Sequence, residues 1–115
     1  PTIISNIPKN NTYLNEELFA PVTSIYSFSS LNNVINLINS SMYGLTAAIH
    51  TKDISTAFDA ASKIKTGVFN INSGTHGSEP HMSFGGTKHS GNGTREPGIF
   101  ALDVYSEIKN ITIKY

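Results

Sequence analysis

In the first two thirds of the chain, two kinds of segment follow one another. In one kind apolar and polar residues alternate, and in the other apolar residues recur at the spacing of a helix. The alternating or β-branched segments predict strands at residues 1–5, 21–27, 45–51 and 68–71, and the polar residues 6–16 predict a loop. Apolar residues at helical spacing occur twice, at Leu31, Val34, Ile35 and Ile38 and again at Ile54, Phe58, Ala61 and Ile64. Ser30 and Asp53 precede these helices as candidate N-caps. The order strand, helix, strand, helix, strand predicts an α/β fold with right-handed crossovers.

The last third of the chain is rich in glycine and poor in large apolar residues. Eight of the nine glycines lie between Gly67 and Gly98, together with three of the four histidines. Long stretches of this kind in compact domains are usually functional or disordered. Beyond them, residues 100–107 are predicted to form a short helix and residues 108–115 (IKNITIKY) a terminal strand. Such a strand needs an edge to pair with, in this chain or in another.

Charge and cysteine content exclude several classes of function. Lys+Arg and Asp+Glu total 8 each, so the formal net charge is zero and no basic surplus favours nucleic acid. The sequence has no cysteine, which excludes disulfides, thiolate metal ligands and a cysteine nucleophile within these 115 residues. It has no apolar run of the roughly 18–20 residues that a membrane span needs, and no signal sequence at its start. We therefore expect a cytoplasmic protein without a membrane or nucleic-acid partner.

The glycine-rich segment at residues 83–96 (SFGGTKHSGNGTRE) allows two interpretations. Its glycines could expose backbone N–H groups to a phosphate, but neither GxxxxGK[ST] nor a GxGxxG between strand and helix is present. The other interpretation, a structural loop whose glycines permit positive φ angles and tight packing, is favoured. His76, His81 and His89 could in principle bind a metal ion. Their loose spacing favours polar loop histidines instead, and we expect no metal site.

Residues 16–22 (EELFAPV) combine two acidic residues, an aromatic residue and a proline just before a predicted strand. The simpler interpretation is a solvated acidic turn. The functional interpretation is a carboxylate that accepts hydrogen bonds from ribose hydroxyls, with the aromatic side chain packed against a flat ring. Acidic residues have this role in other dinucleotide sites.

Three segments and the C-terminal tail resemble the aldehyde dehydrogenase superfamily. Residues 16–22 are similar to its E-E-x-F-G-P-V segment, and residues 42–53 (MYGLTAAIHTKD) to its Y-G-L-x-A-x-x-x-T-x-D stretch. Residues 84–98 (FGGTKHSGNGTREPG) resemble its F-G-G-x-K-x-S-G-x-G-R-E-x-G signature, and residues 101–109 (ALDVYSEIK) its Y-x-E-x-K tail. The segments occur in the family's order, and the resemblance spans nearly the whole chain.

The resemblance implies an enzyme that oxidises aldehydes to carboxylates with NAD or NADP. In this family a cysteine thiolate attacks the carbonyl, a hydride passes to the nicotinamide, and a glutamate activates water. Carried over by position, Glu17 holds the nicotinamide ribose and Phe19 packs beside the nicotinamide ring. Phe84 lines the substrate tunnel, and Asn72 is a structural support near the site. The tunnel mouth is assigned to residues 75–81, with Thr75, His76, Ser78 and His81 as its contacts.

The sequence also departs from the family pattern. Ala20 stands in place of glycine, Ser83 in place of proline, and Thr94 is an extra residue before Arg95 and Glu96, which are expected to be scaffold charges. The ending from Gly93 onward is closest to a branch that acts on semialdehydes such as 2-oxoglutarate semialdehyde. The family's cysteine, its water-activating glutamate and its dinucleotide-binding domain all lie upstream of the matching region. No catalytic residue is therefore assigned to this chain, which is expected to be inactive alone.

Two hypotheses follow from these departures. In the first, residues 1–100 are the C-terminal part of an aldehyde dehydrogenase catalytic domain, and residues 101–115 are the terminal helix and strand of its oligomerisation arm. Its partners are then the remainder of a parent chain, a small-molecule aldehyde, and further copies contacted through Ile108 to Tyr115. In the second, the chain is a naturally truncated, non-catalytic interaction module that associates through the same C-terminal strand.

Overall fold

The computed structural model of the protein describes residues 1–8 and 16–115. Residues 9–15, which make up most of the predicted 6–16 loop, lie outside the described residues. The strands are β1 (Thr2–Ser5), β2 (Val22–Ile25), β3 (Tyr43–Gly44), β4 (Thr46–Ile49), β5 (Val68–Ile71) and β6 (Thr87–Lys88). The helices are α1 (Leu31–Ser40), α2 (Ile54–Lys63) and α3 (Ala101–Val104). The predicted α/β class is confirmed.

The strands form three two-stranded sheets over the described ranges. β1 pairs with β2 in parallel, with Thr2 opposite Val22. β4 pairs with β5 in parallel, with Thr46 opposite Val68, and α2 connects the two strands as the crossover of a βαβ unit. The short β3 and β6 pair in antiparallel fashion, so the glycine-rich segment returns to the start of the βαβ unit.

The two candidate helix caps differ in outcome. The Asp53 carboxylate accepts hydrogen bonds from the backbone N–H groups of Ser55 and Thr56 at 3.2 and 3.1 Å, so the predicted cap of α2 is confirmed. Ser30 does occupy the N-cap position of α1, with extended backbone angles, but its side chain makes no capping hydrogen bond. The predicted cap at Ser30 is therefore wrong in its chemistry, although the helix begins where it was expected.

The buried core is small and lies between the helices and the sheets. Among the described residues, the buried apolar side chains are Ile35, Ala57 and Ala60. The predicted face of α2 is partly wrong, because Ile54 and Phe58 are 62% and 63% exposed. The small side chains Ala57 and Ala60 are buried instead.

Much apolar surface remains exposed. The chain exposes 9276 Å², whereas a compact monomer of its mass exposes about 6,100 Å². Its radius of gyration is 18.6 Å, against about 13 Å expected for a compact domain of this length. Large apolar side chains are among the exposed residues, including Ile3, Phe19 and Phe58. None of the helices in the described ranges is long and apolar enough to cross a membrane.

The C-terminal end differs from the prediction. The helix expected at residues 100–107 is a single turn, Ala101–Val104, and residues 108–115 are not assigned to a strand. Ile108, Ile111, Ile113 and Tyr115 are 102%, 75%, 71% and 116% exposed. A strand exists only when a neighbouring edge completes its hydrogen bonds, and within the described part of the chain this segment has no such edge.

Candidate active site

The acidic segment at residues 16–22 leads into β2 and places Glu17 on an open groove of about 760 Å³. The end of α1, β3 and the residues that follow β6 also line this groove. Tyr43 and His89 contact each other edge to face there, with ring centres 6.3 Å apart and an angle of 86° between the rings. The groove thus has an exposed acidic residue, aromatic residues and aliphatic side chains in its lining.

One polar group on this groove is unsatisfied. The hydroxyl of Tyr26, next to the end of β2, is buried and has no hydrogen-bond partner among the described residues.

Phe19 lies two residues after Glu17 and is 93% exposed, with φ at 39°. A positive φ is uncommon for a residue with a bulky side chain, and such backbone conformations cluster at binding and active sites. The ring does not line the groove that contains Glu17. Of the two predicted cofactor residues, Glu17 therefore lines the groove, whereas Phe19 is open to solvent.

Phe84 lies outside the regular strands, and backbone hydrogen bonds fix its position. It forms an antiparallel bridge with Glu96, in which the Phe84 N–H donates at 2.9 Å and the Glu96 N–H donates at 2.8 Å. Its side chain is half-buried. The pKa of the Tyr105 hydroxyl is raised, first by a hydrogen bond with Glu96 and second by the charge of Glu96.

The predicted tunnel-mouth residues lie between β5 and Phe84. All four side chains are exposed, and none lines the groove at Glu17; they are Thr75, His76, Ser78 and His81. They precede Phe84 in the chain. Within the described ranges, no group of three or more His, Asp or Glu side chains is arranged to hold a metal ion.

Asn72 has the geometry of a structural support. It follows β5 with φ at 56°, and its side chain accepts from the Thr51 N–H at 2.8 Å and donates to the Thr51 carbonyl at 3.0 Å. These two bonds extend the β4–β5 pairing beyond its last residue pair, because the Asn72 side chain bonds the Thr51 backbone where a strand backbone would otherwise do so.

The glycine-rich segment is packed too tightly to leave room for side chains at several positions. A Cβ atom on Gly67 would overlap the Gly85 carbonyl, and it would lie 2.7 Å from the Gly85 carbonyl carbon. A Cβ on Gly86 would overlap Ser90, and one on Gly91 would overlap the Gly86 carbonyl. This packing supports the structural interpretation of the loop, because its backbone groups are already in contact with one another.

Lys88, to which no role was assigned from the sequence, joins this loop to α1. Its ammonium group donates to the carbonyls of Asn39, Ser41 and Tyr43 at 3.0, 2.8 and 3.4 Å. A cation is favourable at this position because the last carbonyls of a helix carry a partial negative charge. The only signal for this role in the sequence was the lysine of the FGGTK segment.

Asn39 and Thr87 complete the junction. The Asn39 amide donates to the Lys63 carbonyl at 2.8 Å and its oxygen accepts from the Lys65 N–H at 2.8 Å, which ties the end of α1 to the end of α2. The Thr87 hydroxyl lies within hydrogen-bond distance of the Gly44 and Lys65 carbonyls, at 3.2 and 3.1 Å. One wall of the groove is thereby fixed to the βαβ unit.

Comparison with known proteins identifies this arrangement. Residues 1–111 match the sequence model of the aldehyde dehydrogenase family. The chain belongs to the aldehyde dehydrogenase family. It is 43% identical to human retinaldehyde dehydrogenase 3 over an alignment of 116 positions that covers 99% of this chain and 22% of that protein. It is 42% identical to an aldehyde dehydrogenase of Davidiella tassiana over 115 residues, 99% of this chain and 23% of the relative.

Solved aldehyde dehydrogenase structures agree with this assignment. The NAD+ complex of the Bacillus cereus enzyme superimposes with a TM-score of 0.88 at 37% identity, over 93% of this chain and 21% of that one. Betaine aldehyde dehydrogenase from Staphylococcus aureus with NAD+ gives 0.83 at 36% identity, over 90% and 20%. The predicted resemblance is confirmed at the level of the family. The chain spans about a fifth of the length of the curated relatives it matches.

Proposed function

We propose that this chain is the C-terminal portion of an NAD(P)-dependent aldehyde dehydrogenase that oxidises an aldehyde or semialdehyde to a carboxylate. The observation that carries the proposal is the family match over residues 1–111 in a chain that has no cysteine. In this proposal the nucleophile and most of the dinucleotide site belong to the remainder of a parent chain, and the 115 residues alone are inactive.

The residues present fit one part of the cofactor. Glu17 offers an exposed carboxylate on the groove, and Phe19 offers an aromatic ring that is 93% exposed. In the proposal the Glu17 carboxylate accepts hydrogen bonds from the nicotinamide ribose and Phe19 packs beside the ring. The nicotinamide supplies the hydride acceptor when the cofactor is bound. The chain's own task is to orient that end of the cofactor.

The tunnel assignment extends the same proposal to the substrate. Phe84 would present an aromatic face to the aldehyde, and its backbone bridge to Glu96 would hold that face in place. Residues 75–81 would form the mouth of the tunnel. Their exposed side chains, including His76 and His81, are free to contact a substrate or another part of the enzyme.

A chimaeric enzyme tests the proposal directly. The matching C-terminal segment of the Bacillus cereus aldehyde dehydrogenase is replaced by this chain, and NAD+ reduction with an aldehyde is measured. The chimaera should be active, and Glu17→Gln should raise the KM for NAD+ several-fold because the ribose contact is weakened. Glu16→Gln is the matched control, since Glu16 lies on a different surface depression and not on the groove. A folded but inactive chimaera, or equal effects of the two substitutions, would count against the proposal.

The second candidate, a non-catalytic interaction module, draws support from the exposed C-terminal segment. Ile111, Ile113 and Tyr115 alternate with polar residues and are 75%, 71% and 116% exposed, as expected for a strand that adds to another sheet. Both candidates predict that removing residues 108–115 reduces self-association. Sedimentation velocity of the truncated and complete chains measures this, and unchanged sedimentation would contradict the predicted homo-oligomer contact. Activity of the chimaera separates the two candidates.

A further inference from the structure

The Asn92–Gly93 dipeptide lies in the glycine-rich segment between β6 and the Phe84–Glu96 bridge. It is the one Asn-Gly pair in the sequence. Both residues are exposed, and Gly93 has a φ of 96° with open space around the position of a side chain among the described residues. An asparagine followed by glycine is chemically vulnerable, because no side chain hinders the approach of the next backbone nitrogen to the asparagine amide carbon.

The asparagine amide oxygen accepts two hydrogen bonds from a single residue. The Thr94 N–H donates to Asn92 Oδ1 at 3.0 Å, and the Thr94 hydroxyl donates to the same oxygen at 2.7 Å. Two donors on a carbonyl oxygen stabilise the negative charge that develops on it when a nucleophile attacks the carbon. Thr94 is in turn held by Arg95, whose Nη1 donates to the Thr94 carbonyl at 2.8 Å and to the Gly86 carbonyl at 3.1 Å.

We propose that Asn92 is a site of self-catalysed deamidation, promoted by the two donors of Thr94. The Gly93 backbone nitrogen attacks Asn92 Cγ and forms a C–N bond, the Cγ–Nδ2 bond breaks, and ammonia leaves with the proton from the Gly93 N–H. Water then opens the succinimide ring and gives aspartate or isoaspartate. One water is consumed and one ammonia is released, with no change in oxidation state.

Deamidation of Asn92 would change the closely packed glycine-rich loop. Isoaspartate adds a methylene to the backbone at position 92, next to Gly91, which packs against the Gly86 carbonyl. The same loop contains Arg95, which bonds that carbonyl. The reaction therefore introduces a new negative charge and a longer backbone into the segment that supports Phe84.

Asn72 provides an internal comparison within the same chain. It is also exposed, but its amide oxygen and nitrogen are both bonded to the Thr51 backbone, and the next residue is Ser73. The Ser73 side chain hinders the approach of the Ser73 nitrogen, and the two bonds to Thr51 fix the amide of Asn72. We expect Asn72 to remain intact while Asn92 reacts.

The test is peptide mapping by mass spectrometry of the complete 115-residue chain after incubation at mildly alkaline pH, folded and in urea. The aspartate and isoaspartate peptides are separated by chromatography. In the folded chain Asn92 should react faster than Asn72, and at least as fast as in the unfolded chain. Slower reaction on folding, or a rate equal to that of Asn72, would overturn the proposal.

Variants of Thr94 test the role of the donors. Thr94→Val removes the hydroxyl donor and should slow the reaction of the folded chain roughly two- to tenfold, the range that one hydrogen bond provides. Thr94→Ser keeps the hydroxyl and should restore the rate, and the unfolded variants should all react alike. An unchanged or faster rate in folded Thr94→Val would show that Thr94 restrains the amide or has no effect on it, and would contradict the proposal.

Discussion

The packing between Gly67 and Gly85 provides a sharp prediction about what the glycine-rich segment does. Gly67 begins the turn into β5, and its φ is not in the left-handed region. Alanine is therefore compatible with the backbone angles. The obstacle is steric, because an added Cβ would overlap the Gly85 carbonyl and lie 3.1 Å from the Gly86 Cα. Both neighbours are backbone atoms, so no side-chain rotation can relieve the contact.

The magnitude follows from two opposing contributions. Replacing glycine by alanine at a compatible position stabilises a protein by about 0.4–1 kcal/mol, since the unfolded chain has less freedom. Overpacking costs about 1–3 kcal/mol, and more when the backbone has to move. We expect Gly67→Ala to lower the free energy of unfolding by about 2 kcal/mol or more. With three buried apolar side chains among the described residues, this chain has little stability to lose.

Gly74→Ala is the matched control. Its φ is also ordinary, and the nearest atoms to an added Cβ are Nδ1 and Cε1 of His76, at 2.5 and 2.6 Å. That imidazole is exposed and can rotate away, so Gly74→Ala should be neutral or stabilising by up to about 1 kcal/mol. Urea unfolding followed by far-ultraviolet circular dichroism gives both values. If Gly67→Ala is as stable as Gly74→Ala, the inferred packing between β5 and the glycine-rich segment is wrong.

Two further predictions concern the helix ends. Lys88→Met should lower the free energy of unfolding by about 1.5–3 kcal/mol, the range for hydrogen bonds of a charged donor, because three carbonyls lose their partner. Lys63→Met, which removes only an exposed ion pair with Asp59, should cost less than about 0.5 kcal/mol in the same urea assay, and equal losses would contradict the capping role. The Asp53 pKa is lowered by hydrogen bonds from the Thr56 side chain, the Thr56 backbone and the Ser55 backbone. The stability from this cap is present above the unfolded pKa of Asp53 and is lost as the pH falls through the lower folded pKa. Asp53→Asn has no carboxylate to protonate, so urea titrations at acidic pH should show a smaller loss of stability for this variant. An identical pH profile for the two proteins would refute this.

The sequence predicted those parts of the fold that depend on local patterns. The β4–α2–β5 unit was predicted because its strands are short and apolar, its helix has a regular period, and Asp53 is a strong cap. The burial of Ala57 and Ala60 in place of Ile54 and Phe58 could not be predicted, because close packing of small residues depends on which neighbour the helix meets. Residues 108–115 form no strand in this chain alone, and the pattern carries no information about whether another chain provides an edge, so that strand stays a prediction.

The candidate site shows the same division. The role of Glu17 was suggested by a motif, and the structure adds that Glu17 lines the same groove as Tyr43 and His89. The part played by Lys88 depends on three carbonyls that are more than forty residues away in sequence, so no local pattern could reveal it. The unsatisfied hydroxyl of Tyr26 is likewise a property of three-dimensional packing alone.

The mass of this protein in its native cells, with peptide mapping upstream of Pro1, decides whether these 115 residues belong to a longer enzyme. We expect peptides that continue from Pro1 into a cysteine-containing dehydrogenase several times longer than these 115 residues. A native product of about 12.4 kDa, with no such upstream peptides, would contradict the account and leave the non-catalytic interaction module as the function to pursue.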